Sequence, residues 1–281
     1  MKVSAFNEFV CPVDGLALLQ DGKTLSCAKG HVYDIAREGY CNLLLVQQKA
    51  SLDPGDNKEM VAARRRFLDG GYFEPIADKL CEMIPRDKDL RIVDAGCGEG
   101  YYLNRLKEAA IKDRHAAKLA LAGCDVSKWA IKAAAKRSPE IAWAVAGNKK
   151  LPFAPGSVDL IVTMFGYPDW KKFKPLLSKA GRVLLVDPGP EHLIELRKII
   201  YPDVKLNEAY LMNAATACGY VLKWEERLRF SINVPNNACI QDLLSMTPHA
   251  YRIKKEARDK LQALKKLSVT VDVIFMILQA D

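Results

Sequence analysis

The stretch between residues 90 and 188 constrains the fold most, because short apolar runs alternate in it with amphipathic stretches. Helical spacing over Tyr101–Ala110 and Trp129–Arg137 separates the first three runs. Parallel strands need crossover connections, which helices usually supply. The alternation therefore predicts an α/β fold built on a parallel, doubly wound sheet. The strand-length runs are Arg91–Ala95, Leu119–Asp125, Ala142–Ala146, Val158–Met164 and Gly181–Asp187.

The composition excludes a disordered, collagen-like or membrane-spanning chain. The 281 residues are 49% hydrophobic and 27% charged, with 17 Gly and 14 Pro. The longest apolar runs, such as Val273–Leu278, fall well short of the roughly 20 residues that cross a bilayer. The first residues lack the apolar core of an export signal. We therefore expect a cytoplasmic protein without a membrane partner, whose eight Cys are thiols or metal ligands rather than disulfides.

Turn signals and composition divide the chain into three parts. Residues 1–46 contain short segments separated by glycine-containing turns, which is typical of a small β-rich module. Residues 47–85 begin with a polar linker and continue with two stretches of helical spacing, Lys58–Asp69 and Phe73–Ile84. Residues 86–281 hold the alternating pattern and form the third part.

A glycine-rich loop follows the first strand of the alternating pattern. Apolar residues lead to Asp94, and then Gly96, Gly98 and Gly100 stand at every second position. Glycines there allow the backbone to approach a ligand at the carboxyl edge of the sheet, in front of the next helix. The spacing departs from the GxGxxG of dinucleotide folds and resembles the first motif of the class I S-adenosylmethionine-dependent methyltransferases.

Two later residues favour S-adenosylmethionine over a nicotinamide cofactor. Asp125 ends the second strand, where nucleotide-binding folds place an acid that accepts hydrogen bonds from ribose hydroxyls. Asn148 follows the third strand, where adenine is usually held in this class. Asp94 or Asp125 alone would serve equally well as a cap for the helix that follows it. Their combination with the glycine loop and Asn148 favours the cofactor site.

A separate cluster in residues 1–46 has the spacing of a metal site. Cys11 and Asp14 form one pair of donors, and Cys27 and His31 form a second pair on an adjacent turn. Structural zinc takes four nitrogen, sulfur or oxygen ligands in a tetrahedron. Asp14 stands where a third Cys is expected, and carboxylate is a weaker zinc ligand than thiolate. The sequence predicts a zinc-knuckle-like module, and a knuckle that folds without metal is the alternative.

Along nearly its whole length the sequence resembles the bacterial 23S ribosomal RNA guanine-N1 methyltransferases of the RlmA type. The resemblance implies methylation of guanine N1 in a hairpin of 23S ribosomal RNA, with S-adenosylmethionine as donor. It also implies that the zinc module and the methyltransferase domain form an RNA-binding cleft, and that homodimers occur. The segments that carry it are Cys27–Leu44, Asp53–Phe67, Asp94–Tyr102, Asp125–Arg137 and Pro188–Leu193.

The resemblance adds contacts to the cofactor that the general motifs do not give. It implies roles for Phe73, for Gly100 and Tyr101 in the loop, and for His192 after the Pro-Gly-Pro turn. Phe73 as a helix core residue and His192 as a first-turn residue without a ligand are the alternatives.

Basic residues are unevenly distributed along the chain. Residues 1–50 carry five Lys or Arg against five acids, whereas 249–266 carry seven against two. Together with Arg64–Arg66, this C-terminal segment is a candidate for phosphate contacts. A solvated face is the alternative for both.

The catalytic residue is left unassigned by the sequence. Guanine N1 carries a proton near neutral pH, so a base is useful, and Asp169 and Asp187 follow the fourth and fifth strands. For Asp169 a turn-forming role is the more natural interpretation. Phe165, Tyr167 and Trp170 are available to stack on an extruded base. The alternatives are a small-molecule methyltransferase and a non-catalytic RNA-binding relative.

Overall fold

The computed structural model describes residues 2–48, 51, 53–113, 117–204 and 210–281. Within them a mixed nine-stranded sheet runs in the order β11-β12-β10-β9-β6-β7-β8-β5, with β1 paired to β7. A small antiparallel sheet has the order β2-β3-β4. The strands are β1 (Lys2–Ala5), β2 (Leu19–Asp21), β3 (Thr24–Ser26), β4 (Val32–Asp34), β5 (Tyr40–Asn42), β6 (Leu90–Ala95), β7 (Lys118–Asp125), β8 (Ala142–Val145), β9 (Val158–Met164), β10 (Leu177–Pro188), β11 (Tyr220–Val234) and β12 (Leu267–Ala280).

The centre of the main sheet is parallel, as the sequence predicts. Strand β6 pairs in parallel with β7 and β9, and β9 pairs in parallel with β10. The last two strands lie outside the alternating stretch of residues 90–188 and complete the sheet in antiparallel pairings. Strand β12 runs antiparallel to both β10 and β11, because the chain returns from β11 to β12 within a long hairpin.

The four helices that the apolar spacing predicts are present as α1 to α4. Helix α1 begins after Asn57, whose side chain accepts the Met60 N–H, and its bounds match the predicted ones. No helix among the described residues is long and apolar enough to span a membrane. The helices are α1 (Lys58–Asp69), α2 (Glu74–Met83), α3 (Tyr101–Lys112), α4 (Lys128–Arg137), α5 (Trp170–Phe173), α6 (Ile194–Ile200), α7 (Tyr210–Ala217), α8 (Asn237–Ser245) and α9 (Lys255–Ala263).

Both faces of the main sheet are buried, because side chains alternate along each strand. In β10, Leu184 and Val186 belong to one apolar cluster with helices α1 to α4, while Val183 and Leu185 belong to the other. The second cluster also contains Phe6, Leu18 and Leu25 from the N-terminal module. The module therefore shares a core with the sheet instead of having a separate one.

The N-terminal module is attached to the sheet at both its ends. Strand β1 pairs in parallel with the first half of β7, and β5 pairs in parallel with β8. The Phe6 ring stacks on Phe153 with ring centres 5.0 Å apart. The boundaries at residues 46 and 85 stay a prediction, and residues 49, 50 and 52 of the linker lie outside the described part. The attachment fixes the module beside the sheet.

The segment between β11 and β12 lies at the carboxyl edge of the parallel strands. Pro188, the last residue of β10, pairs with Val273, so the earlier part of β12 extends past that edge. Helices α8 and α9 belong to this segment, and α8 packs on α1. The basic C-terminal segment is thereby brought to the edge that carries the glycine loop.

Candidate active site and metal centre

The glycine loop follows β6 and lies over the end of β7 at the carboxyl edge of the sheet. The N–H groups of Gly96 and Cys97 both donate to the Cys124 carbonyl, at 2.8 and 3.0 Å. Gly96, Gly98 and Gly100 all have positive φ angles, which L side chains rarely adopt. A Cβ at Gly100 would also approach Trp143 to 2.9 Å. The backbone conformation explains the three glycines.

Asp125 lies directly beside this loop. Its Oδ2 accepts the Gly98 N–H at 3.0 Å, and its Oδ1 accepts the Ser127 N–H at 2.8 Å. Each carboxylate oxygen has a second lone pair free for an incoming hydroxyl. Burial raises the pKa of Asp125, and the two backbone donors oppose that shift. The carboxylate is thus held in one orientation next to the loop.

Asp94 is almost completely buried at the end of β6, with an exposed fraction of 1%. Its Oδ1 has no hydrogen-bond partner among the residues that the structure describes. Burial, and secondarily the charge of Asp125, raises the pKa of Asp94 to about 8. A buried acceptor without a donor is costly unless a ligand or water satisfies it. Asp94 therefore fits a ligand-facing role better than a cap.

Aromatic rings line the space in front of the glycine loop. The Phe73 ring centre lies 6.2 Å from His192 and 6.4 Å from Phe165, and Tyr102 lies 6.4 Å from Phe165. Phe165 has a φ of 56°, a strained conformation for a bulky residue that tends to occur at functional sites. The structure brings Phe73 and His192 together, as the resemblance implies.

An ion pair between the buried Asp272 carboxylate and the partly exposed Arg227 positions the loop that carries His192. Asp272, in β12, accepts the Arg227 Nε–H at 2.7 Å and the Glu191 N–H at 2.8 Å. The Asp272 N–H faces His192 Nδ1 at 3.3 Å. Burial lowers the pKa of His192 to about 4. The imidazole is therefore neutral at physiological pH and available for aromatic and hydrogen-bond contacts.

Two predicted residues have different surroundings from those expected. The Tyr101 ring packs edge-on against Tyr102 and under the Arg137 guanidinium. The Asn148 side chain donates to the Tyr167 carbonyl at 2.9 Å. The Tyr102 hydroxyl, in contrast, is buried without a hydrogen-bond partner among the described residues. The double tyrosine in the sequence did not distinguish which ring faces the site.

The loop formed by residues 53–57 covers the start of α4 beside Asp125. The Ser127 hydroxyl donates to the Asp56 carbonyl at 2.6 Å, and the Trp129 indole N–H donates to Asp53 at 2.9 Å. Arg64 forms an ion pair with Asp56. Its Nη1 lies 3.5 Å from the position of a Cβ on Gly98. The sequence predicts phosphate contacts or a solvated face for Arg64, whereas the structure places it against the glycine loop.

The four metal-ligand candidates converge in the N-terminal module. Their donor atoms all lie within 4.8 Å of one another. His31 Nδ1 is 3.0 Å from Asp14 Oδ2 and 3.4 Å from the Cys27 sulfur. The Cys11 sulfur is 3.6 Å from the same nitrogen. These are the residues that the sequence predicts.

The geometry fits a tetrahedral zinc ion. Zinc bonds of about 2.0–2.3 Å separate neighbouring ligand atoms by about 3.3–3.8 Å. Four of the six donor pairs here lie 3.0–3.6 Å apart, and all six lie within 4.8 Å. The Leu16 N–H donates to Asp14 Oδ1 and is the main cause that lowers the pKa of Asp14 to about 2. The carboxylate is therefore ionised and its Oδ2 faces the cluster. The Asp14 carboxylate, which stands where a third Cys is expected, completes the set of four donors.

The two candidate bases differ in their surroundings. The Asp169 side chain accepts the Lys172 N–H and caps the short helix α5, which is the turn role favoured by the sequence. Asp187 is half-buried at the end of β10, next to the Val186 carbonyl that accepts the Phe165 N–H. Burial is the one cause that raises the pKa of Asp187 to about 6. Asp187 is the better placed of the two.

The two basic segments also differ. Each arginine of the triplet has a carboxylate partner: Arg64 has Asp56, Arg65 has Asp69 and Arg66 has Asp242. The seven basic side chains of residues 252–266 are exposed, and the part of the chain that the structure describes provides no ion pair for them. These residues are Arg252, Lys254, Lys255, Arg258, Lys260, Lys265 and Lys266. The C-terminal segment, rather than the triplet, presents free positive charge.

Known proteins match both parts of the chain. The family model described as RlmA, N-terminal, matches residues 9–52, and a methyltransferase-domain model matches residues 92–189. The Bacillus subtilis protein named "Putative 23S rRNA (guanine-N(1)-)-methyltransferase YxjB" is 32% identical over 288 residues, which cover 97% of each chain. This chain belongs to the family of 23S rRNA (guanine-N1)-methyltransferases. The family predicted from the sequence is confirmed.

Other matches agree with the family and with the fold. The 23S rRNA (guanine(748)-N(1))-methyltransferase of Streptomyces fradiae is 33% identical over 201 residues, covering 70% of this chain and 69% of that one. A chain in the solved "Complex between the Haloferax volcanii Trm112 methyltransferase activator and the putative methyltransferase" has a TM-score of 0.52 at 17% identity. The aligned region covers 79% of this chain and 95% of the solved chain. The class I methyltransferase fold predicted from the sequence is confirmed.

Proposed function

We infer that this protein transfers the methyl group of S-adenosylmethionine to N1 of a guanine in a hairpin of 23S ribosomal RNA. The observation that carries the inference is the relative matched over 97% of both chains, including the zinc module as well as the methyltransferase domain. A small-molecule methyltransferase has no need of the module. A non-catalytic relative would have no reason to keep Asp94, the glycines of the loop and Asp125.

The residues proposed to hold S-adenosylmethionine surround the glycine loop. Asp125 accepts hydrogen bonds from the ribose hydroxyls, and the loop backbone approaches the cofactor closely. Asn148 lies next to the adenine. The rings of Phe73 and His192 cover the cofactor on the side where the aromatic residues lie. Tyr101 stays in the set as a proposal, with its neighbour Tyr102 better placed. The full set is Phe73, Asp94, Gly96, Gly98, Gly100, Tyr101, Asp125, Asn148 and His192.

We propose Asp187 as the group that removes the proton from guanine N1. S-Adenosylmethionine supplies an electrophilic methyl group, which an in-line displacement passes to the freed N1 lone pair. Asp187 takes the N1 proton, while the C–S bond electrons stay with the sulfur of S-adenosylhomocysteine. A carboxylate whose pKa is about 6 is a matched base near neutral pH. The neighbouring Phe165 ring excludes water from the site and offers a face on which the guanine can stack.

An exposed aromatic residue at the same edge supports RNA binding. Tyr167 is 83% exposed, and exposed tyrosines stack on unpaired bases with little sequence preference. Lys149, Lys150, Lys171 and Lys172 are exposed in the two short helical segments beside it. These lysines and the C-terminal basic segment supply charge for phosphates, while the neutral zinc module supplies shape.

Three further properties belong to the proposal. The Cys11, Asp14, Cys27 and His31 donors hold zinc, which fixes the turns of the module. The protein works in the cytoplasm, where ribosomal RNA is its substrate, and does not act at a membrane. A homodimer follows from the family resemblance, and light scattering of the purified protein tests it.

The proposed function is tested by methyl transfer from radioactive S-adenosylmethionine to protein-free 23S ribosomal RNA. We expect incorporation, and a primer-extension stop at one guanine, because methylation at N1 blocks base pairing. The Asp187→Asn protein should bind cofactor and RNA but give no stop. Transfer to small molecules without transfer to RNA would contradict the proposal.

A further inference from the structure

Asp187 lies in one cross-strand row of side chains with Arg227. Asp187 is opposite Ile274 of β12, and Ile274 is in turn opposite Arg227 of β11. Residues directly opposite each other in antiparallel strands project their side chains from the same face of the sheet. The Cα atoms of Arg227 and Asp187 are therefore about 9–11 Å apart. A long arginine side chain and an aspartate can meet across that distance, over Ile274.

Arg227 is turned toward Asp272 instead, two residues before Ile274 in β12. Its Nε and Nη2 donate to the two carboxylate oxygens of Asp272 at 2.7 and 2.8 Å. The Asp187 carboxylate has no hydrogen bond or ion pair within the part of the chain that the structure describes. The Arg227 side chain is 45% exposed, so its guanidinium can swing through solvent if the Asp272 carboxylate is removed.

The Asp272 carboxylate is itself fixed to the loop that follows Asp187. It is fully buried, and its Oδ2 accepts the Glu191 N–H at 2.8 Å. The Asp272 carbonyl accepts the Gly189 N–H at 2.8 Å. A Cβ on Gly189 would lie 2.5 Å from the carboxylate carbon, so the glycine is what allows this close approach. Asp272 therefore holds Arg227 at a fixed place relative to Asp187.

The charged groups on the elements around Asp187 leave its carboxylate without a cationic partner. Burial is the one cause that raises the pKa of Asp187 to about 6. A cation within about 4–6 Å would lower the pKa of a carboxylate by about 1–3. The groups in question are Arg227, Arg229 and Glu225 on β11, Asp272 on β12, Glu191 and His192 in the loop after β10, and Asp169 after β9.

We propose that Asp272 is a positioning residue for methyl transfer, because it holds the Arg227 guanidinium away from Asp187 and keeps the base free of a cationic partner. The proposal rests on the proposed function, in which Asp187 takes the proton of guanine N1. An arginine beside Asp187 would stabilise the carboxylate and make it a weaker base. The ion pair thus serves the reaction as well as the loop.

The first test follows the ionisation of Asp187 by NMR in the full-length protein with isotope-labelled aspartate. The resonance is identified by its absence in Asp187→Asn. Asp272→Asn should lower the pKa of Asp187 by about 1 or more, because the released Arg227 reaches it. Adding Arg227→Met to Asp272→Asn should restore the wild-type value. Glu191→Gln is the matched control, since Glu191 also contacts Arg227, at 3.5 Å, but its loss leaves the Asp272 pair in place.

Single-turnover methyl transfer to 23S ribosomal RNA, measured against pH, gives a second readout. In Asp272→Asn the rise of the rate with pH should move to lower pH by about as much as the pKa of Asp187, and the plateau should fall severalfold. The double variant should recover the midpoint. A merely structural role of Asp272 would lower the rate at every pH and leave the midpoint in place.

An unchanged pKa of Asp187 in a folded Asp272→Asn protein would overturn the proposal, and so would a lowered pKa that Arg227→Met does not restore. If Asp272→Asn does not fold, Asp272→Ser decides the question by the same criterion. The NMR titration needs no activity, so it is independent of the proposed function. Methyl transfer that survives in Asp187→Asn would refute the proposed base and, with it, the role of Asp272 in the reaction.

Discussion

Asp169 and Asp187 show how one residue type acquires different roles from its surroundings. Both side chains are half-buried, but Asp169 caps a helix. Asp187 lies at the sheet edge, where no counter-charge among the described residues offsets the burial that raises its pKa. Both follow strands in the sequence and were equal candidates on position alone. The burial of Asp187 has consequences for both activity and stability.

Asp187→Asn should abolish methyl transfer and stabilise the protein at the same time. The pKa of Asp187 is raised from 3.8 to about 6 in the folded state. The folded protein therefore binds more protons than the unfolded chain between those values, and its stability falls as pH rises through them. At pH 8 the substitution should raise the free energy of unfolding by on the order of 1–2 kcal/mol.

Urea unfolding at several pH values measures this effect. The gain should shrink as the pH is lowered from 6 toward 4. Asp169→Asn is the control and should change stability little, because Asn caps a helix as well as Asp does. A loss of stability in Asp187→Asn at pH 8 would show that the carboxylate makes favourable contacts that compensate its burial.

Asp125→Ala should weaken S-adenosylmethionine binding at least about tenfold, because charge-assisted hydrogen bonds are worth about 1.5–3 kcal/mol each. The structure adds a second reason, since Asp125 also holds the Gly98 N–H. Calorimetric titration measures the affinity, with the exposed Asp87→Ala as control. Unchanged affinity in a folded Asp125→Ala protein would remove the assignment.

Sequence reasoning marked candidate residues for the site but not the orientations of their side chains. Asp94, Asp125 and the metal-ligand candidates are marked by motifs with fixed spacing. Which of two adjacent tyrosines faces a ligand depends on the rotation of α3, and the role of Arg64 depends on how α1 docks. Neither is encoded in local spacing, because both are set by long-range packing.

The glycine loop joins β6 to α3 and packs against α4. Glu99 is buried within the loop and pairs with Arg137 of α4 at 2.7 Å. A Cβ on Gly100 would come within 2.9 Å of Ala134 and Trp143. The loop therefore has little freedom to adapt to a larger residue.

Gly100→Ala should destabilise the fold more than Gly156→Ala. Both glycines have positive φ angles, which cost Ala about 1–2 kcal/mol. Gly156 has no atom within 4 Å of a Cβ, whereas overpacking at Gly100 adds about 1–3 kcal/mol. Urea unfolding of the two variants measures the difference. Equal losses of stability in the two variants would show that α4 moves aside for the added Cβ with no cost in free energy.

Metal removal should unfold the N-terminal module and leave the main sheet intact. Strands β2, β3 and β4 have three residues each, too few for independent stability. Hydrogen exchange with and without a chelator should show loss of protection in residues 9–39 and continued protection in β6 and β9. Asp14→Cys should resist chelation more strongly, since thiolate is the better zinc ligand. A folded and active protein without zinc would contradict the metal proposal.

The helices and central strands were predictable because their apolar periodicity is local. The direction of β12 was not, since an antiparallel strand and a parallel strand buried on both faces have the same composition. Likewise β1 and β5 are short, and their pairing with the main sheet depends on partners far along the chain.

The excess positive charge of the molecule lies outside the N-terminal module. The module and its neighbours in residues 1–50 are neutral, whereas residues 249–266 sum to +5, from seven basic and two acidic side chains. The arginine triplet does not add to this free positive charge, because each of its arginines pairs with an acid. Electrostatic attraction for RNA is therefore concentrated near α9.

Lys254→Glu with Lys255→Glu should weaken binding of the ribosomal hairpin and leave S-adenosylmethionine binding unchanged. The slope of log affinity against log salt should flatten by roughly one for each phosphate contact removed. Lys88→Glu is the control, because Lys88 is exposed just before β6, at the opposite edge of the sheet. If the RNA affinity and its slope do not change, the RNA must lie along Tyr167 and its lysines instead.

The attachment of the module at both ends also has a consequence for biosynthesis. Strand β1 is synthesised long before its partner residues in β7, which begin at Lys118. Strand β5 pairs with β8, which ends at Val145. On the ribosome the module's cysteines therefore emerge long before the sheet that anchors them. The nascent module, with the proposed metal ligands, stays unanchored until about a hundred further residues have been translated.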